Sequence, residues 1–191
     1  MEAAVHGLLG LRSALDKQVS IEILPTLRGE NGQARRESMI IIHDTRDQTG
    51  KHNNVTDYLA AQGHTVIRSK MYVGDVALFE NQLRCIDLKK DLNEVCGNVC
   101  QQHDRFQREM LRAKELGIQL VILVEHGRGI RSIDDVEGWV NPRLKKNPRA
   151  TTGATLAKVM RTMQERYGVR WEFTTKAECG KRIVEILGGG E

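Results

Sequence analysis

The sequence predicts an α/β domain in which a mixed or mostly parallel sheet has helices on both faces. Two short apolar runs, at residues 39–43 and 120–124, are typical of buried strands. Helical and strand-like segments alternate along the rest of the chain, and this alternation favours a layered α/β arrangement. Because only 4% of the 191 residues are aromatic, the core is expected to depend on aliphatic side chains.

The predicted elements follow one another with short connections. In chain order, they are strands at 39–43, from 65, at 76–79, 83–88, 120–124 and 169–173, and helices at 55–62, 105–116, 154–167 and up to 187. Asn53 or Asn54 is expected to cap the first helix, and the capping-box pattern of Thr175 and Glu178 marks the start of the last one. Residues 126–151 are polar, contain glycine and proline, and are predicted to form a loop.

The chain is predicted to hold one domain with an N-terminal extension. We place the extension at 1–37, the folded domain at 38–187 and a flexible tail at 188–191. No segment approaches the roughly 18 apolar residues that a membrane span needs, and the first residues lack the basic region of a signal peptide. We therefore expect a cytoplasmic protein with reduced thiols and no membrane partner.

Positive charge is concentrated in the predicted loop after residue 125. Its basic residues are Arg128, Arg131, Arg143, Lys145, Lys146 and Arg149. A basic loop at the carboxyl end of a strand is well placed to hold a nucleic-acid backbone, although a solvated loop would have the same composition. The net charge of +4 permits a phosphate-bearing partner without requiring one.

The hairpin at 76–88 carries the residues that indicate chemistry. Asp75 precedes its first strand, and Asp87 and Lys89 lie at the end of its second. Residues i and i+2 of a strand share a face, so Asp87 and Lys89 point the same way, while the hairpin brings Asp75 back towards them. Two converging carboxylates favour Mg²⁺ or Mn²⁺, and a lysine beside them can orient water and stabilise phosphate charge. A solvated strand end is the alternative.

Five motifs follow one another along the chain: Asp44-Thr45-Arg46-Asp47, Gly74-Asp75, Asp87-Leu88-Lys89, Arg105-Phe106-Gln107-Arg108-Glu109 and the apolar strand ending in Glu125. In this order, they resemble the XPF-type nuclease domain, a branch of the PD-(D/E)XK nuclease superfamily. The resemblance covers roughly residues 38–187. It implies a restriction-endonuclease-like fold of three layers, in which a central mixed sheet is flanked by helices.

The resemblance also implies a role for each matching residue. Asp75 and Asp87, with the main-chain carbonyl of Leu88, would ligate Mg²⁺ or Mn²⁺, and Lys89 would act on the attacking water. Asp44 would support catalysis. Asp47 and Glu125 would contact the metal-ligating side chains without binding the metal themselves. The residues expected to bind DNA are Arg46, Arg105, Arg128, Arg143, Lys145 and Lys146.

The implied function is a structure-selective DNA endonuclease of DNA repair or recombination. Its substrate would be branched DNA or a junction of single-stranded and duplex DNA, and it would work as a homodimer or with a partner subunit. A standalone bacterial or phage protein would fit this description. Two departures from the family pattern, Leu88 in place of arginine and Asn93 in place of an acid, keep open a catalytically inactive DNA-binding or scaffolding subunit. Asp91 and Glu94 are nearby acids that can stand in for the latter.

Two further alternatives rest on weaker patterns. Cys96, Cys100 and His103 have helical spacing and would need Cys85 or Cys179 as a fourth ligand for zinc, but buried thiols explain them equally well. A small-molecule enzyme is disfavoured because the sequence has no glycine-rich phosphate-binding fingerprint.

Overall fold

The computed structural model describes residues 38–46, 51–100, 102–127 and 129–189. Its strands are β1 (Ile40–Asp44), β2 (Thr65–Ser69), β3 (Val76–Leu78), β4 (Arg84–Lys89), β5 (Gln119–Glu125) and β6 (Arg170–Thr174). Its α-helices are α1 (Asn53–Ala61), α2 (Leu92–Cys100), α3 (His103–Glu115), α4 (Ile133–Glu137), α5 (Gly153–Tyr167) and α6 (Cys179–Leu187), and Pro142–Lys145 forms a 3₁₀ turn.

The strands form one mixed sheet in the order β2-β1-β3-β4-β5-β6. Strand β3 runs antiparallel to both β1 and β4, whereas the β1–β2, β4–β5 and β5–β6 pairs are parallel. The predicted α/β fold with a mixed sheet between helices is therefore confirmed. The hairpin of β3 and β4 is also confirmed, and it places the candidate residues near the middle of the sheet.

The two faces of the sheet bury different helices. Leu120, Ile122 and Val124 of β5 pack with α2, α3 and α5, whereas Val121 and Leu123 pack with α1 and α6. Strand β5 is thus buried on both faces, which explains its continuous apolar run. None of the helices in the described part of the chain is long and apolar enough to cross a membrane.

Some local predictions were wrong. Helix α2 was not predicted, yet its Leu92, Val95 and Cys96 are buried at helical spacing, and the Asp91 carboxylate accepts a hydrogen bond from the Glu94 N–H at its first turn. The first helix is capped at His52, and Asn54 instead donates its side-chain amide to the Lys176 carbonyl.

The stretch 126–151 is not entirely loop. It contains α4, where Ser132 and Asp135 form a capping box, and the 3₁₀ turn that begins at Pro142. Both elements are too short for hydrophobic periodicity to mark them. The predicted extension at 1–37, together with Asp47, Arg128 and residues 190–191 of the predicted tail, lies outside the described residues.

Candidate active site

The main chain of Asp75 is fixed between β1 and β4. Its N–H donates to the Ile86 carbonyl at 2.8 Å, and its own carbonyl accepts from the Asp44 N–H at 2.8 Å. Its Oδ2 accepts from the Leu88 N–H at 2.9 Å. The hairpin thus brings Asp75 against the strand that carries the other two candidate residues, as the sequence predicts.

Asp87 and Lys89 form a buried ion pair on the face of β4 that looks towards α3. They are only 3% and 6% exposed, and the Lys89 ammonium lies 5.3 Å from the centre of the Phe106 ring. Burial by itself lowers the pKa of Lys89, but the charges of Asp87 and Asp75 outweigh it and raise that pKa above its usual value. Lys89 is therefore positively charged at neutral pH.

Glu109 of α3 is a further site residue, for which the sequence alone predicts no role. Its Oε1 accepts a hydrogen bond from the Gly74 N–H at 3.0 Å, which ties α3 to the turn that carries Asp75. Burial and the charge of Asp87 raise the pKa of Glu109, and the Gly74 N–H and Lys89 oppose that rise. The five-residue motif on α3 was visible in the sequence, but only the tertiary structure shows that its last residue faces Asp87.

Asp44 and Arg46 form an ion pair beneath the same turn. The Arg46 Nε lies 2.9 Å from Asp44 Oδ2, and its Nη2 donates to the Met71 carbonyl at 2.6 Å. The Asp44 carboxylate, 1% exposed, also accepts from the Met71 N–H at 3.3 Å. Burial by itself raises the pKa of Asp44, but the hydrogen bonds from Arg46 and Met71 and the charge of Arg46 together outweigh it and lower that pKa. The pair therefore supports the segment that leads to Asp75.

A cleft of ≈ 740 Å³ opens above these residues. Asp75, Asp87 and Lys89 line it together with Glu94 and Glu109. Its other cationic side chains, which lie on several elements, are Arg46, Lys51, Arg105, Arg108, Arg112 and Arg143. Of the residues expected to bind DNA, Arg46, Arg105 and Arg143 are thus brought to one cleft. Lys145 and Lys146 are exposed and lie outside the described lining.

The two departures from the family pattern lie in different surroundings. The Leu88 side chain is fully buried in the core shared with α1 and α6, on the face opposite Asp87. The residue also lines the cleft, so it presents main chain there. Asn93 lines the cleft beside Glu94, whose carboxylate accepts from Lys51 at 3.0 Å and from the Lys90 N–H at 2.8 Å. An acidic side chain, that of Glu94, therefore lies next to Asn93, the position at which the family pattern has an acid.

Glu125 lies on the other face of the sheet. Its carboxylate is paired with His52 Nδ1 at 2.8 Å, and both side chains are buried. Burial is the larger of two effects that raise the pKa of the Cys179 thiol, and the neighbouring Glu125 is the other. The structure thus places Glu125 at the junction of β5, α1 and α6 and does not bring it to the cleft.

The residues of the cleft suit a hard cation better than zinc. Within the described residues, no three histidine, cysteine, aspartate or glutamate side chains are gathered closely enough to hold a metal ion, and Cys96 and Cys100 lie on α2 whereas His103 begins α3. Mg²⁺ needs less from a protein, because it is commonly held by one or two carboxylates together with waters and substrate phosphates. Asp75 and Asp87 supply two carboxylates in one cleft.

Comparison with known proteins identifies the fold. No family model and no curated protein matches the sequence. Among solved structures, XPF from Aeropyrum pernix matches with a TM-score of 0.56 and 17% identity over 78% of this chain and 63% of that one. The chain has the fold of an XPF nuclease domain. The same Aeropyrum pernix protein in complex with DNA matches equally well, with a TM-score of 0.56, 18% identity and coverage of 78% and 64%. This chain thus spans less than two thirds of the XPF chains.

Proposed function

We propose that this chain is a metal-dependent DNA endonuclease, which hydrolyses phosphodiester bonds with a metal-activated water. The observation that carries the proposal is the burial of the Asp87–Lys89 ion pair beside Asp75, at the base of a cleft lined by arginines. A solvated strand end would leave both charges in water. A buried ion pair contributes little to stability, so its presence in a cleft favours a functional role.

Asp75, Asp87 and the Leu88 carbonyl would hold Mg²⁺ or Mn²⁺. When bound, either ion lowers the pKa of a coordinated water and polarises the phosphate. Lys89, held by Asp87, would orient that water and stabilise the negative charge that develops on the phosphate. In the reaction, the attacking water gives up a proton to solvent as its oxygen bonds to phosphorus, the bond from phosphorus to one sugar oxygen breaks, and that oxygen takes up a proton from solvent.

The cations of the cleft support DNA as the substrate. Arg46, Arg105 and Arg143 come from three separate elements or loops and meet at one opening, where they would contact phosphates on either side of the cleaved bond. The similar XPF from Aeropyrum pernix was solved with DNA. We extend the proposal to branched DNA or single-strand/duplex junctions, and to action as a homodimer or with a partner subunit.

The rival function is a DNA-binding or scaffolding subunit without activity. Two departures in the sequence favour it, Asn93 in place of an acid and Leu88 in place of an arginine. Because the Leu88 side chain is buried on the opposite face of the sheet, that substitution leaves the cationic and acidic lining of the cleft intact. The geometry therefore favours the enzyme.

The proposal is tested with a panel of labelled DNAs: single-stranded, duplex, forked and flapped. With Mg²⁺ or Mn²⁺, we expect cleavage by the wild type and a loss of at least about 100-fold in Asp75→Ala and Lys89→Ala, with DNA affinity largely retained. Asp57→Asn, an exposed carboxylate on α1, is the control and should cut normally. Wild-type cleavage by Lys89→Ala would rule out this site, and binding without cleavage in every metal would favour the inactive subunit.

A further inference from the structure

Tyr72 is displayed to solvent next to the cleft. The sequence has eight aromatic residues, all within the described part of the chain, and Tyr72 is the exposed one, at 64%. The other seven are buried or half-buried. Tyr72 lies three residues before Asp75, the proposed metal ligand, in the same segment of the chain.

The exposure of Tyr72 is not the result of a loose segment. Its neighbours Met71 and Val73 are only 5% and 2% exposed. The Met71 main chain is held from both sides, since its N–H donates to Asp44 and its carbonyl accepts from Arg46. On the other side, the Gly74 N–H is bound by Glu109. The ring is therefore mounted on a fixed stretch of backbone.

Arg112 supports the ring from the cleft side. Its guanidinium carbon lies 4.8 Å from the centre of the Tyr72 ring, and its Nη1 donates to the Tyr72 carbonyl at 3.0 Å. The cation covers part of the ring and leaves most of the residue in solvent. A ring that is positioned by an arginine and still exposed is suited to stacking on a planar group.

The charges next to Tyr72 match a nucleic-acid strand. Arg105, Arg108 and Arg112 lie along one face of α3 and all line the cleft. A strand that places its phosphates along these arginines would pass within reach of Tyr72, because Arg112 contacts the ring directly. A duplex hides its base faces, so only an unpaired base can stack there.

We propose that Tyr72 is a stacking platform for an unpaired base beside the cleaved phosphodiester. This inference rests on the proposed function, and it narrows the substrate to DNA that has at least one unpaired nucleotide at the cleft. Tyr72 would thus determine specificity for single strands and junctions, while the arginines bind phosphates of any DNA.

Binding in EDTA tests this platform separately from cleavage. The probes are a fluorescein-labelled oligothymidine and a blunt duplex of the same length. We expect Tyr72→Ala to weaken binding of the oligothymidine about 10-fold or more and of the duplex less than 2-fold. Tyr72→Phe keeps the ring and should bind both normally. Leu83→Ala is the matched control, because Leu83 is 63% exposed at the other end of the hairpin.

A single-stranded DNA containing 2-aminopurine reports stacking directly. Its fluorescence should be quenched by the wild type and by Tyr72→Phe, but not by Tyr72→Ala at saturation. The platform would be overturned if Tyr72→Ala lost equal affinity for single strand and duplex, or lost no affinity for either. It would also be overturned if Tyr72→Ala changed the oligomeric mass of the protein while DNA binding stayed the same. A wild type that binds with this preference but never cuts would leave the platform standing and refute the endonuclease.

Discussion

At the scale of single residues, the site is a small set of charges whose surroundings differ. Lys89 is kept charged by Asp87 and Asp75, whereas Glu109 is buried near the negative charge of Asp87. Both effects raise the pKa of Glu109, so its ionisation is less favourable in the folded protein than in the unfolded chain. Glu109 accepts a hydrogen bond from the Gly74 N–H, and this bond positions the turn before Asp75.

The pKa of Glu109 predicts a pH-dependent effect of Glu109→Gln. The folded state raises this pKa above the ordinary 4.5, so the ionised carboxylate lowers stability once the pH rises past that value. Glutamine removes the charge and can still accept from Gly74. In EDTA at pH 7, we expect a melting temperature a few degrees above that of the wild type, with the gain shrinking as the pH falls towards 4.5.

Thermal melts at pH 7 and pH 4.5 check this. The control is Glu115→Gln, an exposed residue of the same helix, which should change the melting temperature by less than about one degree at either pH. A lower melting temperature for Glu109→Gln at pH 7, or an equal gain at both pH values, would contradict the stated cause.

At the scale of elements, the alternation of β4 separates chemistry from packing. Asp87 and Lys89 face α3 and the cleft. Ile86, which precedes Asp87, and Leu88, which lies between the two, pack with α1 and α6. The turn that enters the hairpin must also come very close to β4. Gly74 has a φ of +70°, and a Cβ at that position would lie 2.9 Å from the Ile86 carbonyl oxygen.

Gly74→Ala is therefore expected to damage both stability and activity. It adds the strain of a left-handed backbone and a clash with β4, for a cost of about 1–3 kcal/mol in unfolding free energy. It should also displace Asp75 and reduce cleavage by about 10-fold or more. Chemical denaturation and the cleavage assay measure the two effects.

Gly117→Ala separates backbone strain from the close approach. Gly117 has a φ of +66°, but a Cβ there meets nothing within 4 Å. Its substitution should cost about 1 kcal/mol and leave cleavage unchanged. If Gly74→Ala and Gly117→Ala lost the same stability and neither lost activity, the fit of Gly74 against β4 would have no functional role.

At the scale of the whole molecule, the fold gathers basic residues that are far apart in the sequence. Arg46, Arg105 and Arg143 line one cleft, while Lys145 and Lys146, which follow Arg143 closely, lie outside its described lining. The total charge of +4 gives no sign of this difference. DNA affinity should therefore depend more on which basic side chains are removed than on how many are removed.

Two double variants that each remove two positive charges test this dependence. Arg105→Ala with Arg143→Ala should weaken DNA binding and make the logarithmic salt dependence shallower by about two, which corresponds to two lost phosphate contacts. Lys145→Ala with Lys146→Ala should have a smaller effect on both. Titrations at several salt concentrations measure the slopes, and identical slopes for the two variants would refute a localised binding surface.

Much of this architecture could be predicted from the sequence because it follows from local patterns. The apolar run at 120–124 predicted a strand buried on both faces, and the i, i+2 spacing of Asp87 and Lys89 placed them on one face. Glu109 and Tyr72 could not be recognised in this way. Their importance depends on which surface α3 and the segment before Asp75 present to each other, and that is decided by tertiary packing. Helix α2 has no clear helical signal in the sequence because it is short and contains Gly97.

The most direct test of the central claim is a metal titration of cleavage by the wild type and Asp87→Asn. On forked DNA, wild-type cleavage should rise to saturation with Mg²⁺ or Mn²⁺ and stop in excess EDTA. Asp87→Asn should bind the same DNA with similar affinity and cut at least about 100-fold more slowly at every metal concentration. Cleavage that continues in EDTA, or wild-type cleavage by Asp87→Asn, would contradict a metal-dependent nuclease built on Asp75, Asp87 and Lys89.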